Sequence, residues 1–188
     1  MRTFEEDMEW SESILHNEVW PAIKRCVGGE MVSVEAEKTS LARRLDISAG
    51  IDALIQYERG IKSLASRIQR TSPKKPFATF TIRAKRRSGA DTEFAKRVRA
   101  IFHGDGMYPA YTLHAYVSED ERFLSAAIIK TEQLYRYIYS PNSIVNYEDK
   151  YDEHFLYIYW DHIGEWIRSE KIQNSMSIYT LKQMALNL

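Results

Sequence analysis

The sequence predicts a mixed α/β (α+β) fold, a central mixed sheet flanked by helices, and two observations carry that prediction. Segments with a helical apolar period alternate along the chain with short runs of β-branched and aromatic residues. Their order is helix, several antiparallel strands, then helix, strand, helix, strand, helix, which suits strands gathered in one sheet with helices packed on it. The 188 residues are enough for one well-buried core and few for two, so a single domain over 1–188 is expected. With 44% hydrophobic and 28% charged residues, the composition is that of a chain that folds alone or as a small oligomer, not of a disordered one.

From Asp7 to Arg25 the apolar residues Met8, Ile14, Leu15, Val19 and Ile23, with Trp10 and Trp20 beside them, fall close to a 3.6-residue period and predict the first helix. Pro21 has no amide hydrogen to give a helix interior, so a kink or break is expected near Trp20. Gly28 and Gly29 should end the element. Residues 31–36 alternate as a strand does, and residues 50–57 and 61–70 read as two more, joined by Glu58-Arg59-Gly60 into a hairpin. After the loop Ser72-Pro73-Lys74-Lys75-Pro76, residues 77–83 have the composition of a fourth strand. Asp91 or Thr92 is placed to cap a helix with Phe94, Val98, Ile101 and Phe102 on one face and Lys96, Arg97 and Arg99 on the rest. Residues 111–117 read as a strand. A helix is expected to start at Ser118 or Asp120 and to run through Phe123, Ile128, Ile129 and Leu134 to about Tyr139, where Pro141-Asn142 stops it. Residues 155–160 read as a buried strand, 163–168 as a helix and 179–188 as a weakly helical tail.

No run approaches the roughly 18 apolar residues that a membrane-spanning helix needs. The N-terminus turns acidic at Glu5-Glu6-Asp7 where a secretory signal turns apolar, so a cytoplasmic protein without a membrane partner is expected. Cys26 is the only cysteine, which agrees with a reducing compartment and leaves no intrachain disulfide or thiolate-built zinc site. The five histidines, His16, His103, His114, His154 and His162, show no metal-binding spacing, and the chain has neither a Gly-x-Ser-x-Gly elbow nor a glycine-rich phosphate loop.

The formal net charge of zero conceals a sharp segregation. Residues 1–37 carry nine acids against three bases, residues 62–99 twelve bases against two acids, and residues 119–170 eleven acids against five bases. Such a pattern predicts an electrostatic footprint for a polyanion, DNA or RNA, contacted by Lys74, Lys75, Arg83, Lys85, Arg86, Arg87, Lys96 and Arg97. The run Arg83-Ala84-Lys85-Arg86-Arg87-Ser88-Gly89 lies between a strand and a helix start, where side-chain charge and free backbone N–H groups meet a phosphate together. A competing expectation is that the acidic segments fold over the basic one and neutralise it. Phe77, Phe80 and Tyr108 supply either base-stacking surface or core.

The segment Leu45-Asp46-Ile47-Ser48-Ala49-Gly50-Ile51-Asp52, continued by a hairpin and by Ala65-Ser66-Arg67-Ile68-Gln69, resembles the core of the PD-(D/E)XK nuclease-like superfamily, as does the acidic helix with Glu12 and Glu18 that precedes it. The resemblance spans about residues 10–117, leaving 118–188 as a C-terminal extension, and implies a restriction-endonuclease-like core. It further implies a divalent metal, Mg2+ or Mn2+, that activates water at a scissile phosphate. Asp52 matches the metal-binding aspartate, Gln69 is the nearest match for the second ligand, Glu18 matches the helix carboxylate, and Asp46 is a further ligand reaching in from a loop. The lysine expected beside them is replaced by Arg67, which cannot lose its proton at working pH but is suited to hold a phosphate bidentately. Asp52 also has a plain reading as a carboxylate at a strand end, bonded to neighbouring backbone N–H groups. The functions implied are a metal-dependent nuclease, a catalytically inactive nucleic-acid-binding relative, or a protein–protein adaptor or inhibitor, any of them possible as a homodimer.

Overall fold

The computed structural model describes residues 4–34, 49–71, 78–150, 152–163 and 168–171. The chain enters through helix α1 (Phe4–Ile14), passes through a π-helical turn (Leu15–Val19) and continues as α2 (Trp20–Val27). Pro21 therefore falls in the first turn of a new helix, where its missing N–H is not needed. The π turn absorbs the change of register: the Trp20 N–H donates to the carbonyl of Leu15, one residue further back than an α-helical bond reaches. At the other end Gly28, with φ of +74°, donates its N–H to the Lys24 carbonyl at 2.8 Å and closes α2 as the glycine pair predicts.

Two sheets follow. The central one has the order β1 (Glu30–Ser33), β2 (Ala53–Tyr57), β3 (Gly60–Arg70), β5 (Tyr111–Val117), β6 (Phe123–Lys130), β9 (Arg168–Lys171). All its neighbours are antiparallel except β3 and β5, which pair parallel from Leu64↔Tyr111 to Arg70↔Val117. The connection between those parallel strands carries β4 (Thr79–Lys85) and α3 (Glu93–His103). Strand β4 does not join the central sheet but opens a second one, ordered β4, β8 (Glu153–Tyr159), β7 (Asn146–Lys150). Helix α4 (Thr131–Ile138) follows β6, and the single turn α5 (Trp160–Ile163) follows β8. The fold is thus mixed α+β. No described helix is long and apolar enough to cross a membrane.

The core lies on both sides of the central sheet. On one face Leu64 and Ile68 of β3 and Leu113, Ala115 and Val117 of β5 pack against Ile14, Leu15, Val19, Trp20 and Ile23. On the other, Tyr116, Ala127 and Ile129 meet Phe80, Ile82, Leu156, Ile158 and Trp160 of the second sheet and its helical turn, together with Leu134 and Tyr135 of α4. Phe80 is fully buried there, so it serves as core and not as stacking surface. The two sheets are also pinned by polar bonds. The Tyr116 hydroxyl donates to the Thr79 carbonyl at 3.0 Å, and the Thr81 N–H donates to Nδ1 of buried His114 at 3.1 Å. Because Tyr116 already serves the Thr79 carbonyl, a ring proton on Nε2 leaves each of these groups with a partner.

Three expectations are corrected. Residues 123–130 are not helical: they form β6, paired with β5 along its length, and the helix begins only at Thr131. Phe123-Leu124-Ser125-Ala126-Ala127-Ile128-Ile129 is a nearly unbroken apolar run, because both faces of β6 are covered, and such a run has no period to separate strand from helix. Residues 146–150, for which the sequence predicts no element, form the exposed edge strand β7, whose charges suit an edge but hide it from a hydrophobicity pattern. Arg168, expected at a helix end, opens β9, and Trp160 starts a helical turn instead of ending a strand. The tail 179–188 lies outside the described residues.

Candidate nucleic-acid interface

The register of the hairpin creates an edge. The last β2–β3 pair is Ala53↔Leu64, so from Ala65 onward β3 has left β2 behind. At that point the backbone of Asp52 still bonds to the Leu64 carbonyl at 2.9 Å, and its carboxylate takes over, accepting from the Ser66 N–H at 2.5 Å and the Ser66 hydroxyl at 3.2 Å. Such charge-assisted bonds to a backbone donor stabilise by about 1.5–3 kcal/mol each. This is the strand-end carboxylate of the plainer reading. Gly50, just before it, is held at φ of +60°, and a side chain there would meet the Glu93 carboxylate of α3.

Beyond Asp52 the edge of β3 opens into a cleft of about 480 Å³. One wall is α1, with Asp7, Trp10 and Ser11; the floor is β3 and β5; the other wall is β4 with its following turn and the start of α3. Trp10 is fixed there by a three-way contact: its indole N–H donates to Glu121 at 2.8 Å, Glu121 is paired with Arg70, and the Arg70 guanidinium lies 4.5 Å from the Trp10 ring centre. The N-terminus of α3 is capped by the Thr92 hydroxyl, which accepts from the Ala95 N–H at 3.2 Å, as the sequence predicts.

Four arginines converge on this cleft, Arg67 from β3, Arg83 from β4, Arg86 from the turn after it and Arg97 from α3. Their engagements differ. Arg83 forms an ion pair with Glu153 at 3.3 Å, and Arg97, itself buried, reaches the Gly50 carbonyl at 3.4 Å. The Nε atoms of Arg86 and Arg97 are buried with no hydrogen-bond partner among the described residues. Arg67 makes neither hydrogen bond nor ion pair with a described residue, while burial first, and then the charge of Arg83, depress its guanidinium below the ordinary value. It stays a cation, since arginine does not deprotonate in proteins. Opposite Arg67 across the parallel pair stands His114, whose pKa is lowered to about 3 by burial and then by Arg67, so the ring is neutral.

Alternation along β3 separates two residues that the sequence grouped together. Leu64 and Ile68 face the helices, so Ser66 does too, while Arg67 and Gln69 face the second sheet. Asp52 meets Ser66, and Gln69 stands on the other face of the strand. Glu18 lies half-buried in the π turn on the helix side. Asp46, Lys74 and Lys75 lie outside the described residues. Among the described residues no three His, Cys, Asp or Glu side chains come together to hold a metal ion.

The acidic C-terminal third reaches the basic middle at three places, Arg70–Glu121, Arg83–Glu153 and Arg87–Asp152 at 3.6 Å. Two further pairs, Lys96–Glu93 and Arg99–Asp91, form within the basic segment itself. Neutralisation is therefore partial. Lys85, Arg86 and Arg67 have no ion pair with a described residue, and they line the turn and the cleft beside it. The sequence singled out these arginines but not their convergence with Asp7, Trp10 and His114, because the passage of β4 into a second sheet has no local signature. No protein-family model, curated protein or solved structure matches the chain.

Proposed function

We propose that this chain binds nucleic acid through its phosphates, with the cleft at the β3 edge as the central contact and Lys85 and Arg87 extending it over the surface. One observation carries the reading: Arg67 is a largely enclosed guanidinium that makes no hydrogen bond or ion pair with a described residue, the nearby Glu153 being already paired with Arg83, and it stands with the buried and unpartnered Nε of Arg86 and of Arg97. A cation taken out of water without a partner is costly, and an anion in the cleft offsets that cost. Guanidinium groups match phosphate oxygens in pairs, which makes a phosphate the fitting anion. Gel shifts of DNA and of RNA over a salt series test it, with the expected result a complex that weakens steeply as salt rises. Absence of any shift at low salt leaves the adaptor as the better reading.

Cleavage is the second reading, favoured by the position of Asp52: its partner Ser66 lines the same cleft. Asp52 supplies the carboxylate that would hold Mg2+ or Mn2+, which when bound provides a water activated at neutral pH. Gln69 would have to act from the opposite face of β3, and Arg67 would steady the phosphate. Incubating plasmid DNA and structured RNA with and without Mg2+ or Mn2+ separates the readings. If the chain cleaves, Asp52→Asn, which keeps an acceptor for the Ser66 N–H, should abolish the metal-dependent product while preserving binding. Cleavage at the wild-type rate by that variant rejects the metal site.

A further inference from the structure

Resting on the nucleic-acid reading, we propose that the cleft selects a phosphomonoester: a single nucleotide bearing a terminal phosphate is seated there in preference to an internal phosphodiester. Size is the first argument. A cleft of about 480 Å³ falls among pockets for small ligands, which span roughly 300–1,000 Å³, and so admits one nucleotide and not a stretch of duplex. Charge is the second. Four arginines face the two lining carboxylates Asp7 and Glu93, with Glu153 holding Arg83 from just outside and His114 neutral, so the lining keeps a net positive charge centred on Arg67 and Arg86. A phosphodiester carries one negative charge, whereas a terminal phosphate carries about 1.5–2 near neutral pH and offers three oxygens to guanidinium forks. Geometry is the third. Arg67 and Arg86 come from different elements, β3 and the turn after β4, and neither is committed to a described acid, so two forks are available from two sides.

The shared ligand chemistry is a phosphate monoester, presented either by a strand end or by a free nucleotide. Fluorescence anisotropy decides, using short single strands of one sequence with a phosphate at one end, at the other end, or hydroxyls at both, at fixed salt. The expected result is that a terminal phosphate tightens binding about tenfold or more, equivalent to roughly 1.4 kcal/mol. That advantage should vanish in Arg67→Gln and shrink in Arg86→Gln, the latter in the turn after β4 and not within a central strand, and so safer for folding. Competition by a nucleoside monophosphate, but not by the nucleoside, supports the same chemistry. If it competes as well as the phosphorylated strand, the free nucleotide is the source; if far more weakly, the strand end is. Equal binding of phosphorylated and hydroxyl-ended strands overturns this proposal and leaves nucleic-acid binding standing. Binding of the monophosphate with no binding of any strand overturns the nucleic-acid reading and leaves the phosphomonoester site. An advantage that survives in both arginine variants overturns the placement in this cleft.

Discussion

His114 is where the physical consequences of the cleft can be read most directly. It is enclosed by β4, through Thr79, Thr81 and Phe80, and by the cations Arg67 and Arg97, so burial and like charge outweigh the one group that favours a proton on the ring, the Thr79 carbonyl. Its pKa falls to about 3 in the fold from the ordinary 6.5. The unfolded chain therefore binds a proton that the folded chain refuses between those two values, and folding stability must fall as pH drops through that window. We expect the urea midpoint of the wild type to decline from about pH 6.5 downward. His114→Asn keeps an acceptor for the Thr81 N–H but does not titrate, and should remove that part of the decline; carboxylates, which titrate in both proteins, cancel in the comparison. An unchanged slope would mean that the ring gains a proton in the fold and that the enclosure by Arg67 is weaker than described. A second residue-scale expectation concerns Asp52. Its Oδ2 satisfies the Ser66 N–H where β2 stops, so Asp52→Ala should lower stability by about 1–3 kcal/mol, and Asp52→Asn by less, measured by denaturant unfolding.

Among the elements, the α2–β1 junction shows how far a local rule extends. Gly28 and Gly29 both have positive φ, yet only Gly29 is pressed against its neighbours: a Cβ there would sit 2.7 Å from the Gln56 carbonyl and 2.8 Å from the Ile55 side chain. Gly104, which ends α3 with φ of +69°, has nothing within 4 Å. Gly104→Ala should therefore cost only the left-handed strain of about 1–2 kcal/mol, whereas Gly29→Ala adds a backbone clash and should cost clearly more, as thermal unfolding would reveal. Equal losses would show that β2 yields freely at Gln56. The Gly28-Gly29 pair was legible as a helix end because a positive-φ cap is a local requirement. The hairpin β2–β3 was legible for a similar reason, its turn and its alternation lying within a few residues. Strand β6 was not, since burial on both faces removes the alternation that marks a strand, and its partner β5 is only one turn away in sequence but had to be recognised as a partner first. Nor was β4's departure, because residues 79–85 read as a strand whichever sheet receives them.

Over the whole molecule the charge segregation of the sequence resolves into paired and unpaired cations, some of the pairs formed within the basic segment itself. Some of the basic side chains are met by acids from the C-terminal third, and these pairs are largely exposed, the kind that contributes roughly 0–1 kcal/mol each and loosens further in salt. Others, Arg67, Lys85 and Arg86, face the cleft or the solvent beside it without an ion pair among the described residues. The sequence could locate the basic segment but not this division, which depends on Asp152 and Glu153 arriving across the sheet from 65 and 70 residues away. The division makes a testable distinction between local footprint and net charge. Reversing charge at Arg86 and Arg87 should weaken nucleic-acid binding and reduce the salt slope by roughly 0.9 for each B-DNA phosphate that the protein no longer neutralises. It should leave base preference unchanged, since phosphate contacts position a ligand without reading its sequence. Matched reversals at Lys130 and Lys150, both exposed and both outside the cleft, alter the net charge by the same amount. If the two sets weaken binding equally, only net charge is at work and the cleft is not the contact; if the first set alone weakens it, the contact lies where β4 delivers its turn to the start of α3.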